Sequence, residues 1–265
     1  MIIDIHSHIG SSLKWNLEEE TLLKSLEKYH IDFTIVSNIE SSEVDNDQLL
    51  IEKPYQVSQY DSNFKTIEFA KKNKDKVGAA IWVKPLTEGV DDKLINLIKE
   101  NRQYIYAIKI HPYHSKINFN SIEVRNYIDL AQMFNLPVIT HTANTFDTSV
   151  YRVYEVAKDY PNVNFVMVHM GLCTDNLDAI EVLKKDLSNI YADTTWVNYK
   201  MAVKAIKECN HNRIMFGTDN TIDGLDTYGK EIYQDYFTLM KKEISKEDYD
   251  KLMYKTAIDV FKIQK

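Results

Sequence analysis

Apolar residues gather into eight short runs along this chain, each rich in β-branched or aromatic side chains. The runs are Ile2–His6, Phe33–Ser37, Val77–Val83, Ile105–His111, Val138–His141, Val163–His169, Ile190–Thr194 and Arg213–Thr218. Runs of this length and composition are predicted strands. Their starts lie mostly roughly 25 to 35 residues apart, the length of one strand, one helix and the loops of an eight-fold barrel. Between them, apolar positions recur at helical spacing, as in Leu22, Leu23, Leu26 and Tyr29, or Val124, Tyr127, Ile128 and Ala131. Asn16 with Glu19, and Asn120 with Glu123, are predicted capping pairs. Asp91-Asp92 places negative charge at the start of a third helix, and Asn135 before Pro137 is a predicted left-handed stop. The tail, with Ser245 as N-cap ahead of Leu252, Ala257 and Phe261, predicts two more helices. Unbroken β-α alternation predicts one α/β domain over residues 1–265, a (β/α)8 TIM barrel of eight parallel strands with an extra C-terminal helix. A doubly wound open sheet is the rival. Residues 38–63 exceed a usual connection and follow the second strand, on the face where barrels carry active sites. They read either as a lid or subunit contact, or as a surface excursion with a short helix.

Chemistry collects where the runs end. His6 and His8 share one face of the first strand, one pleat apart, so a single ion can be held from a rigid backbone. Lys109 and His111 share a face at the end of the fourth run; His141 ends the fifth, His169 the sixth, and Asp219 follows the eighth. Parallel strands bring these ends to one mouth. Of eight histidines, only His30, His114 and His211 fall elsewhere. Asp4 points the same way as His6 and reads as a buttress for it or as a buried structural carboxylate. Arg152 reads as a contact for an anionic substrate or as a solvated surface charge. Trp15, Trp82 and Trp196 are candidates for the pocket wall or for core packing, and Cys173 for packing.

Composition narrows the classes. A hydrophobic fraction of 44% with 27% charged residues is that of a soluble globular protein. A net charge of -7 offers no footprint for nucleic acid or an anionic membrane surface. No apolar run approaches the roughly 20 residues of a membrane helix, and the first residues lack the basic region of a signal peptide. Two cysteines, Cys173 and Cys209, make no disulfide framework, which suits the reducing cytoplasm.

The segments Ile-Asp-Ile-His-Ser-His, Ile-Lys-Ile-His-Pro, Val-Ile-Thr-His-Thr, Val-Met-Val-His-Met-Gly, Tyr-Ala-Asp-Thr-Thr and Met-Phe-Gly-Thr-Asp span residues 2 to 219. Taken together they resemble the amidohydrolase superfamily, and within it the amidohydrolase-related (amidohydrolase-2) family, which includes aminocarboxymuconate-semialdehyde decarboxylase. Carried onto these positions, the resemblance implies His6, His8 and His141 as metal ligands with Asp219 at the metal. It places His169 beside them as a supporting or a catalytic imidazole and gives Asp193 a packing or supporting role. Three imidazoles and a carboxylate suit one divalent ion, zinc above all. A carboxylated Lys109 would bridge a second ion; unmodified, Lys109 binds a substrate carboxylate or pairs with Asp219. His111 lines the substrate pocket or is structural.

The expected activity is hydrolysis of a small amide, lactone or ester bearing a carboxylate. The metal lowers the pKa of water towards about 7, Asp219 takes the proton, and His169 steadies the developing oxyanion. The alternative is non-oxidative decarboxylation; a TatD-like nuclease and a non-catalytic metal-binding barrel stand behind it. The expected partner is a small molecule, with neither nucleic acid nor membrane, and homo-oligomers are common in the superfamily.

Overall fold

Each of the eight apolar runs contributes a strand, and a ninth joins them. The computed structural model describes residues 1–12, 14–209 and 213–264, so His211 lies outside the described residues. The strands are β1 (Ile3–Ser12), β2 (Trp15–Leu17), β3 (Phe33–Asn38), β4 (Val77–Trp82), β5 (Ile105–Ile110), β6 (Val138–Ala143), β7 (Phe165–Leu172), β8 (Ile190–Asp193) and β9 (Ile214–Met215). They form one sheet in the order β2-β1-β3-β4-β5-β6-β7-β8-β9. All neighbours are parallel except β1 and β2.

The sheet is curled, and the residues leaving β9 return to β1. Ile5 N–H donates to Phe216 O (3.0 Å), Asp219 N–H to His6 O (2.9 Å) and His8 N–H to Asn220 O (2.6 Å). The result is a TIM-barrel-like α/β fold whose sheet has, among the described residues, nine strands where eight were expected. The extra strand exists because β1 runs on past the histidines to Ser12 and turns back as a hairpin, pairing Gly10 with Leu17 and Ser12 with Trp15. Gly10 is required there: its φ is +97°, and a Cβ would sit 2.0 Å from Asn38 Oδ1. The eighth run is shorter than expected, since only Ile214–Met215 pairs with β8.

Both faces of the sheet are apolar, as strands buried on both sides require. Inward-facing Ile3, Ile5, Phe33, Ile139 and Val166 form an interior cluster. Outward-facing Val36, Ile108, Val138 and Phe165 pack on the helices. These are α1 (Glu19–Lys28), α2 (Gln59–Lys72), α3 (Asp92–Asn101), the single turn α4 (Pro112–Ser115), α5 (Ile122–Met133), α6 (Val150–Ala157), α7 (Leu177–Leu183), α8 (Tyr199–Glu208), α9 (Glu231–Thr238), α10 (Lys246–Asp250) and α11 (Thr256–Phe261). The C-terminal α11 joins the interior cluster through Ala257, Val260 and Phe261.

Two expected caps are corrected. α1 starts after Glu18, not Asn16, because Asn16 is held in β2 and its carboxamide donates to Glu18. α5 is capped by Ser121, whose hydroxyl accepts from Val124 N–H, while the Asn120 oxygen is taken by Arg125. Ser245 caps as expected, the acidic pair does start α3, with Asp91 as its N-cap, and Asn135 is left-handed at φ +49°. Among the described residues, no helix is long and apolar enough to cross a membrane.

The irregular 38–63 stretch is two short 3-10 turns, Ile39–Ser41 and Lys53–Tyr55, followed by the start of α2. It is clasped to the mouth by Glu43, a buried carboxylate that accepts from Thr87 N–H (2.6 Å), Thr87 Oγ1–H (2.7 Å) and Leu86 N–H (3.3 Å). Glu43→Ala strands those donors and is expected to cost about 2 kcal/mol, within the usual range for unsatisfied buried donors. The loss should appear as a lower urea midpoint and faster amide exchange over residues 39–51.

Candidate active site

Alternation along β1 carries His6 and His8 to the same side, and their Nε2 atoms meet 3.1 Å apart. Asp219 Oδ1 completes a triangle with them, 3.0 Å from His6 Nε2 and 3.3 Å from His8 Nε2. Each ring is steered from behind. His6 Nδ1 lies 3.2 Å from Asp193 Oδ2 and 3.2 Å from Thr195 Oγ1. A carboxylate accepts, so Nδ1 carries the proton and the Nε2 lone pair faces the site. His8 Nδ1 is held by Ser37 Oγ at 3.0 Å. The other Asp219 oxygen, Oδ2, accepts from Trp196 Nε1–H (2.8 Å) and stands 4.0 Å from His169 Nε2.

These separations fit a cation. Bonds of about 2.0–2.2 Å at roughly tetrahedral to right angles put ligand atoms about 2.8–3.6 Å from each other. Lone pairs and a carboxylate brought that close repel unless a proton or cation lies between them. His6, His169 and Asp219 also form a compact group, with one ligand atom from each lying within 4.8 Å of the others. His141 stands one ring farther out, edge-on to His169 at 4.8 Å and stacked on His111 at 4.1 Å; its Nδ1 is buried with no partner among the described residues.

The protonation states agree. Burial holds His6, His111 and His141 well below the ordinary imidazole value and His169 at about 4, so all four are neutral at pH 7. Burial alone would push Asp219 up, but the attraction of its charge for a proton held by His6 or His169 and hydrogen bonding from His8 outweigh it and hold the carboxyl well below its usual range, so Asp219 is the ionised member of the group. Neutral imidazoles around one carboxylate are the protonation state of a metal-ligand set.

Lys109, 1% exposed, brings Nζ to 2.9 Å from His6 Nε2, the same nitrogen that meets His8 and Asp219. Burial lowers its pKa to about 8, against the pull of Asp219 and Asp193. Asp4 is fully buried and pushed up to about 7 by burial. It accepts from His6 N–H, Thr218 Oγ1–H and Tyr228 O–H, tying β1 to the residue before Asp219. His169, Trp196 and Asp219 all have left-handed backbones, with φ of +69°, +59° and +62°. Such conformations are sparsely populated and persist where neighbours over-determine them. Here Asp193 Oδ1 accepts from His169 N–H (2.8 Å), and the Asn176 carboxamide donates to His169 O (3.2 Å).

Above the group lies a cavity of about 400 Å³, walled by Trp15, Trp82, Tyr113, His111 and His114, with Ile39 and Asn46 from the 38–63 stretch on its rim. The site candidates His6, His8, His141, His169 and Asp219 line it; Lys109 does not. Cys173 is exposed at its edge. Arg152 instead lines a neighbouring cavity of about 370 Å³. It pairs there with Glu155 (2.6 Å) and lies over the Phe146 ring. Sequence reasoning missed Ser37, Thr195 and His114. Ser37 ends its run just as the histidines end theirs, and His114 is one helical turn from His111, so both positions carried a signal.

Histidines and an aspartate thus converge at the mouth of a curled, mostly parallel α/β sheet, and comparison with known proteins gives the family. The family model described as amidohydrolase matches residues 44–263, and the chain belongs to that family. No curated protein matches it in sequence. Solved structures share the fold at low identity. 5-Carboxyvanillate decarboxylase from Novosphingobium aromaticivorans, with bound manganese, has a TM-score of 0.73 at 11% identity, covering 99% of this chain and 97% of that one. 2,6-Dihydroxybenzoate decarboxylase from Rhizobium has a TM-score of 0.69 at 13%, covering 98% of each. A probable 2-pyrone-4,6-dicarboxylic acid hydrolase from Acinetobacter baumannii has a TM-score of 0.65 at 12%, covering 99% of each.

Proposed function

We propose that this chain, as one catalytic domain, is a divalent-metal enzyme that removes a carboxyl group from a small, flat, unsaturated or aromatic acid. The observation that carries the reading is the charge of the cavity. Its walls are aromatic, and no arginine or lysine is among the described residues that line it. A substrate carboxylate therefore finds no cation on the wall. Its favourable place is the floor, where His6, His8 and Asp219 would hold a metal. His141, the further ligand that the family resemblance implies, stands one ring away, edge-on to His169 and outside the compact group. That donor set suits zinc, and the manganese of the Novosphingobium decarboxylase marks the other candidate.

A divalent ion there supplies a Lewis acid that draws charge from substrate oxygens. The chain's own groups do the rest. Trp15, Trp82 and Tyr113 flank a planar ring and exclude water. When the carbon–carboxyl bond breaks, CO2 leaves and its electron pair stays on the substrate carbon, which must take a proton. Asp219 Oδ2 takes that proton from water or a substrate hydroxyl and passes it to the carbon. His169 Nε2, 4.0 Å away, is the group placed to exchange it.

The second reading, hydrolysis of a lactone, amide or ester, is favoured by the same Asp219, which is equally placed to take a proton from water. It loses support because a carboxylate handle remote from the metal has no cation to meet it. Metal-loaded protein incubated with hydroxybenzoates, unsaturated diacids and lactones in deuterated, 18O-labelled water separates the two. Release of CO2 with one deuterium at the vacated carbon is expected. Product carrying 18O without CO2 release would transfer the assignment to the hydrolase.

A further inference from the structure

We propose that His111 and His114 form a paired donor–acceptor subsite that selects a hydroxyl or primary amide on the substrate and turns away a second carboxylate. This rests on the reading of the cavity as the substrate site and adds the chemistry of its wall.

The polarity of each ring follows from what its Nδ1 touches. His111 leaves β5 as the N-cap of α4, and the backbone N–H of His114 donates to His111 Nδ1 at 3.2 Å. A nitrogen that accepts carries no proton, so the His111 proton is on Nε2. The ring is locked in that orientation, stacked on Trp82 at 5.1 Å and 7° on one side and on His141 at 4.1 Å and 13° on the other.

His114 has the opposite polarity. Its Nδ1 lies 3.2 Å from Val44 O, a carbonyl that can only accept, so Nδ1 carries the proton. Burial lowers its pKa, which leaves Nε2 bare. The 38–63 stretch holds the residue from the main chain as well, since Glu43 N–H and Val44 N–H both donate to His114 O, at 2.9 and 3.0 Å.

The two rings sit 4.5 Å apart, and both line the cavity. One presents Nε2–H and the other an Nε2 lone pair, and neither Nε2 has a partner among the described protein groups. A substrate hydroxyl matches both, accepting from His111 and donating to His114; a primary amide does the same through its C=O and N–H. A methoxy group keeps the acceptor and loses the donor. A carboxylate has only acceptors, so it sets one oxygen against the His114 lone pair on a wall without a cation.

The test uses the full-length, metal-loaded protein in two parts. Long-range 1H–15N NMR should show a bare Nδ1 and protonated Nε2 for His111, and the reverse for His114; the same tautomer in both rings overturns the proposal. Calorimetric titration then compares benzoates carrying hydroxyl, methoxy or a second carboxyl at ring positions 2, 3 or 4. The best hydroxy compound should bind about tenfold more tightly than its methoxy partner, the effect of one unmatched buried hydrogen bond. His114→Phe should erase that preference without weakening the methoxy compound. Equal hydroxy and methoxy affinities, a preference for the diacid, or no binding by any probe each overturn it. Hydroxyl selectivity without CO2 release would leave the subsite standing and remove the decarboxylase; CO2 release without selectivity would do the reverse.

Discussion

His6→Ala should strip the protein of metal and activity together while leaving its fold intact. The His6 ring is the hub of the site. Its Nε2 lies 2.9–3.1 Å from Lys109, Asp219 and His8, and its Nδ1 is oriented by Asp193 and Thr195. Removing it leaves Asp219 and His8 without their shared neighbour and frees the Lys109 ammonium to pair with Asp219. Losing a supporting partner alone usually costs roughly 10–100-fold in metal affinity, so loss of the central ligand should cost more than about a hundredfold. Elemental analysis after dialysis, with circular dichroism as the fold control, checks it. Wild-type metal content in His6→Ala would place the ion elsewhere.

Asp219→Asn should separate holding the metal from moving the proton. The amide keeps the shape of the side chain but neither carries the charge nor exchanges a proton. A positioned acid–base group contributes about 10²–10⁴-fold, and kcat at saturating metal should fall by that factor. Metal affinity should weaken as well, so the comparison is made at metal concentrations that fill both proteins. Turnover near wild type under those conditions would show that the proton travels by another route, with His169 the first to examine.

Much of this arrangement was legible in the residues. Strands buried on both faces read as apolar runs, and the histidines closing those runs mark the mouth because parallel strands end on the same side. What escaped was what local pattern does not encode. Gly10, Ser11 and Ser12 carry no strand pattern of their own, and the hairpin of β1 and β2 depends on the close approach of Gly10 to Asn38. Asn120 outranks no neighbour as a cap once Arg125 has taken its oxygen, a competition that appears only in three dimensions. Trp196 reaches Asp219 because its left-handed backbone turns the β8–α8 loop inward, and side-chain periodicity carries no trace of that. The tautomer of His114 depends on the Val44 carbonyl, brought to it by a tertiary contact, whereas that of His111 follows from its local N-cap bond.

The floor of the site is assembled from the two extremes of the described fold. His6 and His8 come from the first strand, whereas Asp219 follows the ninth and is laid beside β1 by the backbone bonds from Ile5, His8 and Asp219. On the ribosome, then, the histidines emerge early and wait while more than two hundred residues are synthesised. A nascent chain can expose the His-x-His pair to cellular metal, but it cannot close the triangle until Asp219 has cleared the exit tunnel. Tight metal retention should therefore be a property of the finished chain alone, and a truncation before Asp219 should release the ion however well its strands fold.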